Sequence, residues 1–384
     1  MGCDRQPLLA VAFLFAATLT AAASASRLVP VTAGEWPKLM QQALGGNHQA
    51  QIRVGLAYQM GEIVQQDFLE ALRWYSLAAE AGDPIGEHNL GVLYYFGEGV
   101  ASDPTEAVKW FEKAAARGLP EAQFNAARIY ESGGGVPQNL GRALDLYREA
   151  ALSGYAPAQN NLGRMYLTGE GLTSDPAAAV QWFTRSAQQG DATGEFDLGA
   201  AYWKGNGVPQ DYAKAAEWLQ LAAGQGNVKA EAALGGLYRV GWGVSRDYQA
   251  AAMWLSRAAE QGDPTAENAL GILYLTGQGV AADDSLAAAW FAKAADQGNP
   301  DAQTNLATLY QIGRGVARDL NSAYMWRLLS LDGQEHPEQD VGLKDLASIM
   351  NKGDIANARR RAVEWSAAHR NRPREEDRRL ALER

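Results

Sequence analysis

The 384-residue chain is poor in the residue types that most often carry chemistry. It has one cysteine, Cys3, and four scattered histidines: His48, His88, His336 and His369. A lone thiol excludes a disulfide framework and any cysteine-based zinc site. No histidine pair has a convincing metal-ligand spacing, and each is expected at the surface or an edge. Positive charge is also short. Against 44 Asp and Glu there are 34 Lys and Arg, a formal net charge of −10. That is the wrong sign for displacing counterions from nucleic-acid phosphates. What is plentiful is apolar material: 47% of residues are hydrophobic, and there are 11 Trp and 41 Gly. That much apolar surface excludes disorder for most of the chain.

The first 25 residues read as an address. The apolar run from Leu8 to Leu19 is twelve residues long, short of the roughly 20 that a membrane-spanning helix needs. Small residues follow, and Ala23-Ser24-Ala25 fits a signal-peptidase site. Asp4 offsets Arg5, so the positive start rests on the amino terminus. An uncleaved anchor is the alternative. Cys3 precedes the apolar run, which argues against a lipoprotein anchor. Cleavage would leave a mature chain with no thiol and no transmembrane anchor, suited to an oxidising compartment. A periplasmic or secreted location is expected.

From residue 48 onward the chain repeats. Tyr58, Tyr94, Tyr130, Tyr166, Tyr202, Tyr238, Tyr274 and Tyr310 are each 36 residues apart. Gly61 through Gly313 and Ala71 through Ala323 keep the same step, as do the tryptophans from Trp74 to Trp326, with Leu146 in the one gap. Eight units therefore run over 48–334 without insertion.

Residues 230–262 illustrate one unit. Ala230, Leu234 and Tyr238 lie four apart and share a face of a first helix. Gly235 beside them leaves room for a close neighbour. Gly241-Trp242-Gly243 breaks the helix, and Val244 follows as an apolar plug. Asp247 stands at a position that is Asp or Asn in every unit, the expected cap of a second helix. Ala251, Trp254, Leu255, Ala258 and Ala259 then form one apolar stripe. Gly262 ends the unit and Asp263-Pro264 starts the next, so consecutive helices must pack side by side. A single hairpin cannot cover its own stripe. The periodic aromatics are therefore core, each Trp covered by the neighbouring unit in a stacked solenoid.

Residues 33–47 are in phase with a second helix and predict an N-terminal capping helix, with Lys38 at the Trp position. After Trp326 the phase is lost. Residues 335–369 predict C-terminal capping helices over 338–350 and 354–369. Residues 370–384 are a charged tail expected to be disordered.

The unit Ala-x3-Leu-Gly-x2-Tyr-x2-Gly-x-Gly-Val-x2-Asp-x3-Ala-x2-Trp-(Phe/Leu)-x2-Ala-Ala-x2-Gly, almost whole from Ala266 to Gly298, resembles the Sel1-like repeat family. Tetratricopeptide repeats share Leu-Gly-x2-Tyr but have a 34-residue period. The resemblance implies an all-α, right-handed α/α superhelix that scaffolds protein complexes, often in bacterial envelopes. Some relatives carry a disulfide per repeat and bind β-lactam compounds. The absence of those cysteines removes that activity from consideration.

The repeated Gly-x-Gly turns follow helices, whereas a dinucleotide cradle follows a strand. Turn formation is the expected role. No apolar pocket is predicted to shift a carboxylate toward a catalytic pKa, so no enzyme and no cofactor is expected. The resemblance to tetratricopeptide arrays puts the first helices on the concave side. The positions two before Leu, two after it and one after Tyr then face a groove. Those columns hold Phe124, Arg128, Asn160, Arg164, Phe196, Trp203, Arg239 and Asn268, and a groove is expected across units three to six. Aromatic and Arg residues are favoured interface anchors, and Arg attracts carboxylates. A protein or peptide partner is expected in that groove. A scattered solvated surface is the alternative for these residues. A carbohydrate or peptidoglycan ligand stacked on the aromatics is the alternative for the ligand. Trp242 and Tyr95-Phe96 also depart from their columns, and Trp242 is expected either as an exposed contact or folded onto the adjacent loop.

Overall fold

The computed structural model describes residues 31–61, 63–332 and 336–370. The signal segment 1–25 and the tail beyond Arg370 lie outside them. The described residues contain nineteen α-helices, one short 3-10 turn and no strand. They fall into two compact units divided after Gln189.

Unit 1 holds α1 (Trp36–Leu44), α2 (His48–Met60), α3 (Phe68–Glu80), α4 (Pro84–Phe96), α5 (Pro104–Ala116), α6 (Pro120–Ser132), α7 (Leu140–Leu152), α8 (Ala156–Thr168) and α9 (Pro176–Ala187). Unit 2 holds α10 (Ala192–Lys204), α11 (Tyr212–Gly224), α12 (Val228–Val240), α13 (Tyr248–Glu260), α14 (Pro264–Thr276), α15 (Asp284–Asp296), α16 (Pro300–Ile312), α17 (Leu320–Leu329), α18 (Val341–Ile349) and α19 (Lys352–Arg370). Within each unit the repeat helices pack in chain order, so hairpins stack as a solenoid.

The Asp or Asn opening each second helix is a cap as expected. Asp247, for example, accepts from the backbone N–H groups of Gln249 and Ala250 at 2.9 and 3.0 Å. Six of the eight first helices carry an Asp or Asn cap as well, from Asn47 to Asn299. Leu119 and Tyr155 take that place before α6 and α8 and make no side-chain cap. The Gly-x-Gly turns do two jobs. Gly241 ends α12 in the left-handed region (φ +85°). Gly243 (φ +72°) lies so close to the start of α11 that a Cβ would collide with the Tyr212 carbonyl. Within each unit such a turn thus seats one hairpin on the one before.

The core differs from expectation in one respect. Among its largest fully buried side chains, Tyr75, Tyr147, Phe183, Leu219 and Phe291 stand in the column after the Trp position. Trp110, Trp182, Trp254 and Trp290 are half-buried, each roofed by a cation three residues on. Lys113, Arg185, Arg257 and Lys293 stand 3.4, 4.4, 4.8 and 3.9 Å from the ring centres. The seams are still shared, because Trp110 packs on the α2–α4 cluster and Trp290 on the α12–α14 cluster. The indole closes each seam from its outer edge, and a smaller ring or Leu fills the middle. Trp74 is an exception at 3% exposure, because α1 covers it with Leu39 and Ala43.

The helices expected at both ends are present. In unit 2, α17, α18 and α19 share a cluster containing Leu343, Leu346, Ala358 and Ala362. A two-pronged Arg327–Asp340 pair at 2.9 and 2.6 Å ties α17 to the start of α18.

Candidate functional site

On each first helix three columns spaced i, i+4 and i+7 share one face. In unit 1 this face carries Phe124 and Arg128 on α6, then Asn160 and Arg164 on α8. Phe124 is half-buried against Tyr147 and Tyr155, with ring centres 5.8 and 5.4 Å away. The Arg128 guanidinium lies 5.8 Å from the Phe124 ring centre. Arg164 is exposed. Asn160 departs from expectation. It is 1% exposed, so its amide is out of reach of a visiting backbone.

In unit 2 the columns read Phe196–Ala200–Trp203 on α10, Ala232–Gly236–Arg239 on α12 and Asn268–Ile272–Leu275 on α14. Phe196 and Trp203 are half-buried and pack on the α11–α12 cluster. The Asn268 carbonyl oxygen already accepts from Asn305 on α16 at 2.9 Å, so it ties neighbouring first helices together. Arg239 is half-buried, and its Nε is closed off from solvent with no acceptor. It is the only formal charge in these nine positions.

A second set of polar residues lies deeper and was not anticipated. Gln51, Glu87, Gln123, Gln159, Glu195, Glu231, Glu267 and Gln303 recur every 36 residues, and all are buried. The carboxylates are met thirty residues on: by Gln225, Gln261 and Gln297 on Glu195, Glu231 and Glu267 at 2.8 Å, and by Arg117 on Glu87 at 3.1 Å. Gln123 and Gln303 instead donate to the last carbonyls of the preceding helix. Arg257 Nε also stands 2.9 Å from Glu231, an ion pair by distance in which the N–H is not aimed at the oxygen. Burial raises the pKa of Glu195 and Glu231, and the Gln and Arg partners oppose it. These carboxylates join helices inside each repeat. The strict 36-residue spacing of the Glu/Gln column was the signal available in the sequence.

His88 corrects another expectation. It is 4% exposed, not a surface residue. Its Nδ1 faces Asn89 Oδ1 at 3.2 Å and its Nε2 faces Asn125 Nδ2 at 2.9 Å. Desolvation pulls its pKa down to about 4. His369 is an edge residue, stacked on Trp365 at 3.9 Å. Trp242 is 44% exposed and stacks on Tyr212, the first residue of α11 in the preceding repeat, at 5.0 Å and 26°. Tyr95 and Phe96 meet edge to face at 5.1 Å. A cleft of about 730 Å³ opens at the turn edge of unit 2, lined by residues that include Tyr238, Val244, Arg246, Tyr248 and Gly279. None of the anticipated groove residues lines it.

The Sel1 repeat family matches eight consecutive segments, 48–83, 84–119, 120–155, 156–191, 192–227, 228–263, 264–299 and 300–326. The chain belongs to the Sel1 repeat family. Sel1 repeat proteins are in general non-catalytic scaffolds for protein–protein interaction. A Sel1 repeat protein from Oxalobacter formigenes is 34% identical, with 81% of this chain and 90% of that one covered and a TM-score of 0.57. A protective antigen of uropathogenic Escherichia coli with the same repeat fold is 29% identical over 86% of each chain, at a TM-score of 0.45. An immunity protein from Pseudomonas aeruginosa is 22% identical over 56% of this chain and 81% of that one, at 0.38. No curated protein matches the chain. The family's 36-residue period accounts for the caps, the turn glycines and the buried Glu/Gln column. It does not account for what varies on the first-helix face.

Proposed function

We propose that this Sel1 repeat chain is a non-catalytic adaptor of the bacterial envelope that holds a partner protein or peptide on its first-helix faces. One observation carries the reading. The columns that stack the hairpins hardly change, whereas the first-helix columns, half-exposed on α10, α12 and α14 of unit 2, change chemistry at every step. Phe196, Ala232 and Asn268 occupy one such column, Trp203, Arg239 and Leu275 another. A surface whose residues are released from the packing pattern is available for recognition. Phe124, Arg128, Arg164, Phe196, Trp203 and Arg239 remain the proposed contacts. Asn160 is buried, and Asn268 ties α14 to α16.

A protein partner is favoured over a glycan. Stacking on a sugar needs an open aromatic face, and Phe124, Phe196 and Trp203 lean into the core. Export rests on the Leu8–Ala25 pattern. Among the described residues no helix is long and apolar enough to cross a membrane.

The test is site-specific crosslinking in intact cells. A photoreactive residue placed at 164, 200 or 236 on first helices should trap one common partner. The same residue at 217 or 253 on second helices should not. Capture confined to the second-helix positions would sink the proposal.

A further inference from the structure

We infer that the first-helix face of unit 2 takes a peptide segment in which a carboxylate side chain neighbours a large apolar one, the carboxylate meeting Arg239. This rests on the adaptor reading above and specifies its ligand.

Arg239 is unusual among the arginines of its unit. Arg257, Arg314, Arg327 and Arg360 are held by carboxylates. Arg318 and Arg359 are held by a carbonyl and a tyrosine hydroxyl. Arg239 has no ion pair, hydrogen bond or ring partner among the described residues, although its Nε is already cut off from water. A partly desolvated guanidinium without an acceptor has lost hydration and gained nothing inside the fold. Its nine-residue face contains no carboxylate, in a chain of net charge −10. The chemistry that complements it is a carboxylate, which a planar guanidinium binds through paired hydrogen bonds.

The surroundings say that the carboxylate belongs to a peptide. One turn back on α12 lies Gly236, and two turns back Ala232. A Cβ built on Gly236 would meet nothing within 4 Å, so the space over it is open. The same columns hold the half-buried Phe196 and Trp203 on α10, which pack on the α11–α12 cluster, and the half-buried Ile272 on α14. Gly236 and Arg239 are about 4.5 Å apart along the helix axis. An extended segment advances about 3.3 Å per residue. A large apolar side chain over Gly236 therefore places an acidic residue one or two positions away at Arg239.

A random decapeptide display library selected on the full-length chain tests this. Recovered peptides should carry Asp or Glu within two residues of Leu, Ile, Phe or Trp. For synthetic copies, Arg239→Gln should weaken binding about tenfold or more, as loss of a charged hydrogen-bonded pair does. Changing the peptide's acid to its amide should cost the same on the native chain and nothing further on Arg239→Gln. Gly236→Leu should block binding. Thermal melting of both variants separates folding from binding. Peptides without an acid, or binding indifferent to Arg239→Gln, overturn the inference. If such peptides remain sensitive to Gly236→Leu, the face is still the docking surface and only the ligand chemistry is wrong. Peptides insensitive to both variants, or no recovered peptide, overturn docking at this face as well.

Discussion

Gly235 and Leu255 share one space: a Cβ on Gly235 would stand 2.7 Å from Leu255 Cγ, nearer than packed carbons come. Gly55, Gly91, Gly163, Gly199 and Gly271 meet Tyr75, Phe111, Phe183, Leu219 and Phe291 in the same way. The two helices of a repeat are as close as they are because one of them has no side chain there.

Gly235→Ala should therefore lower the melting temperature, with overpacking of about 1–3 kcal/mol outweighing the gain in helix propensity. The adjacent Gly236→Ala should do the reverse and stabilise by up to about 1 kcal/mol, because its Cβ meets nothing. Thermal unfolding followed by circular dichroism compares the two. Equal effects would refute the packing account.

Gly243→Ala should be the most damaging of the glycine changes. The residue adopts φ +72°, and a Cβ would run into the Tyr212 backbone, which cannot give way as a flexible side chain does. Loss of cooperative melting in unit 2 is expected, checked by hydrogen exchange in α11 and α12.

Asp247→Ala should cost about 1 kcal/mol, because it strips the acceptor from two backbone N–H groups of α13. Asp247→Asn should cost little, since Asn139 caps α7 in the same way. Urea titration of the two variants measures the difference.

His88 should make unit 1 acid-sensitive. Its folded pKa is pulled down to about 4 from 6.5 by burial. Between those values the unfolded chain binds the proton and the folded chain does not, so stability is lost as pH falls through that window. The full effect is about 3 kcal/mol. Glu98 and Glu121, raised by burial, act in the opposite direction and favour the fold as they take up protons. The measurement is therefore the difference between the native chain and His88→Asn, a residue this column uses at Asn268. That difference should shrink from pH 7 to pH 4. A constant gap across the range would contradict it.

The repeat register was legible because each constant residue answers a local demand. Asp247 caps, Gly241 reverses the chain, and Ala251 and Ala258 keep a helix face flat. The anticipated interface residues were less legible, because helical spacing says which face a residue shares and not how deep it lies. Asn160 and Asn268 look alike by column, yet each is engaged within the fold. The tryptophans were placed too deep for a related reason. Their spacing marks the stripe, but the Lys or Arg three residues on makes a half-exposed indole stable.

Local chemistry written every 36 residues was enough to specify the helices, their caps, their turns and the stacking of hairpins, since none of these needs contacts beyond the next unit. Tertiary packing alone decided which side chains are left over: that His88 is sealed in, that Glu231 is matched by Gln261, and that Arg239 has no partner among the described residues. Burial and pairing depend on distances between helices, and those are set by the side chains of both neighbours at once.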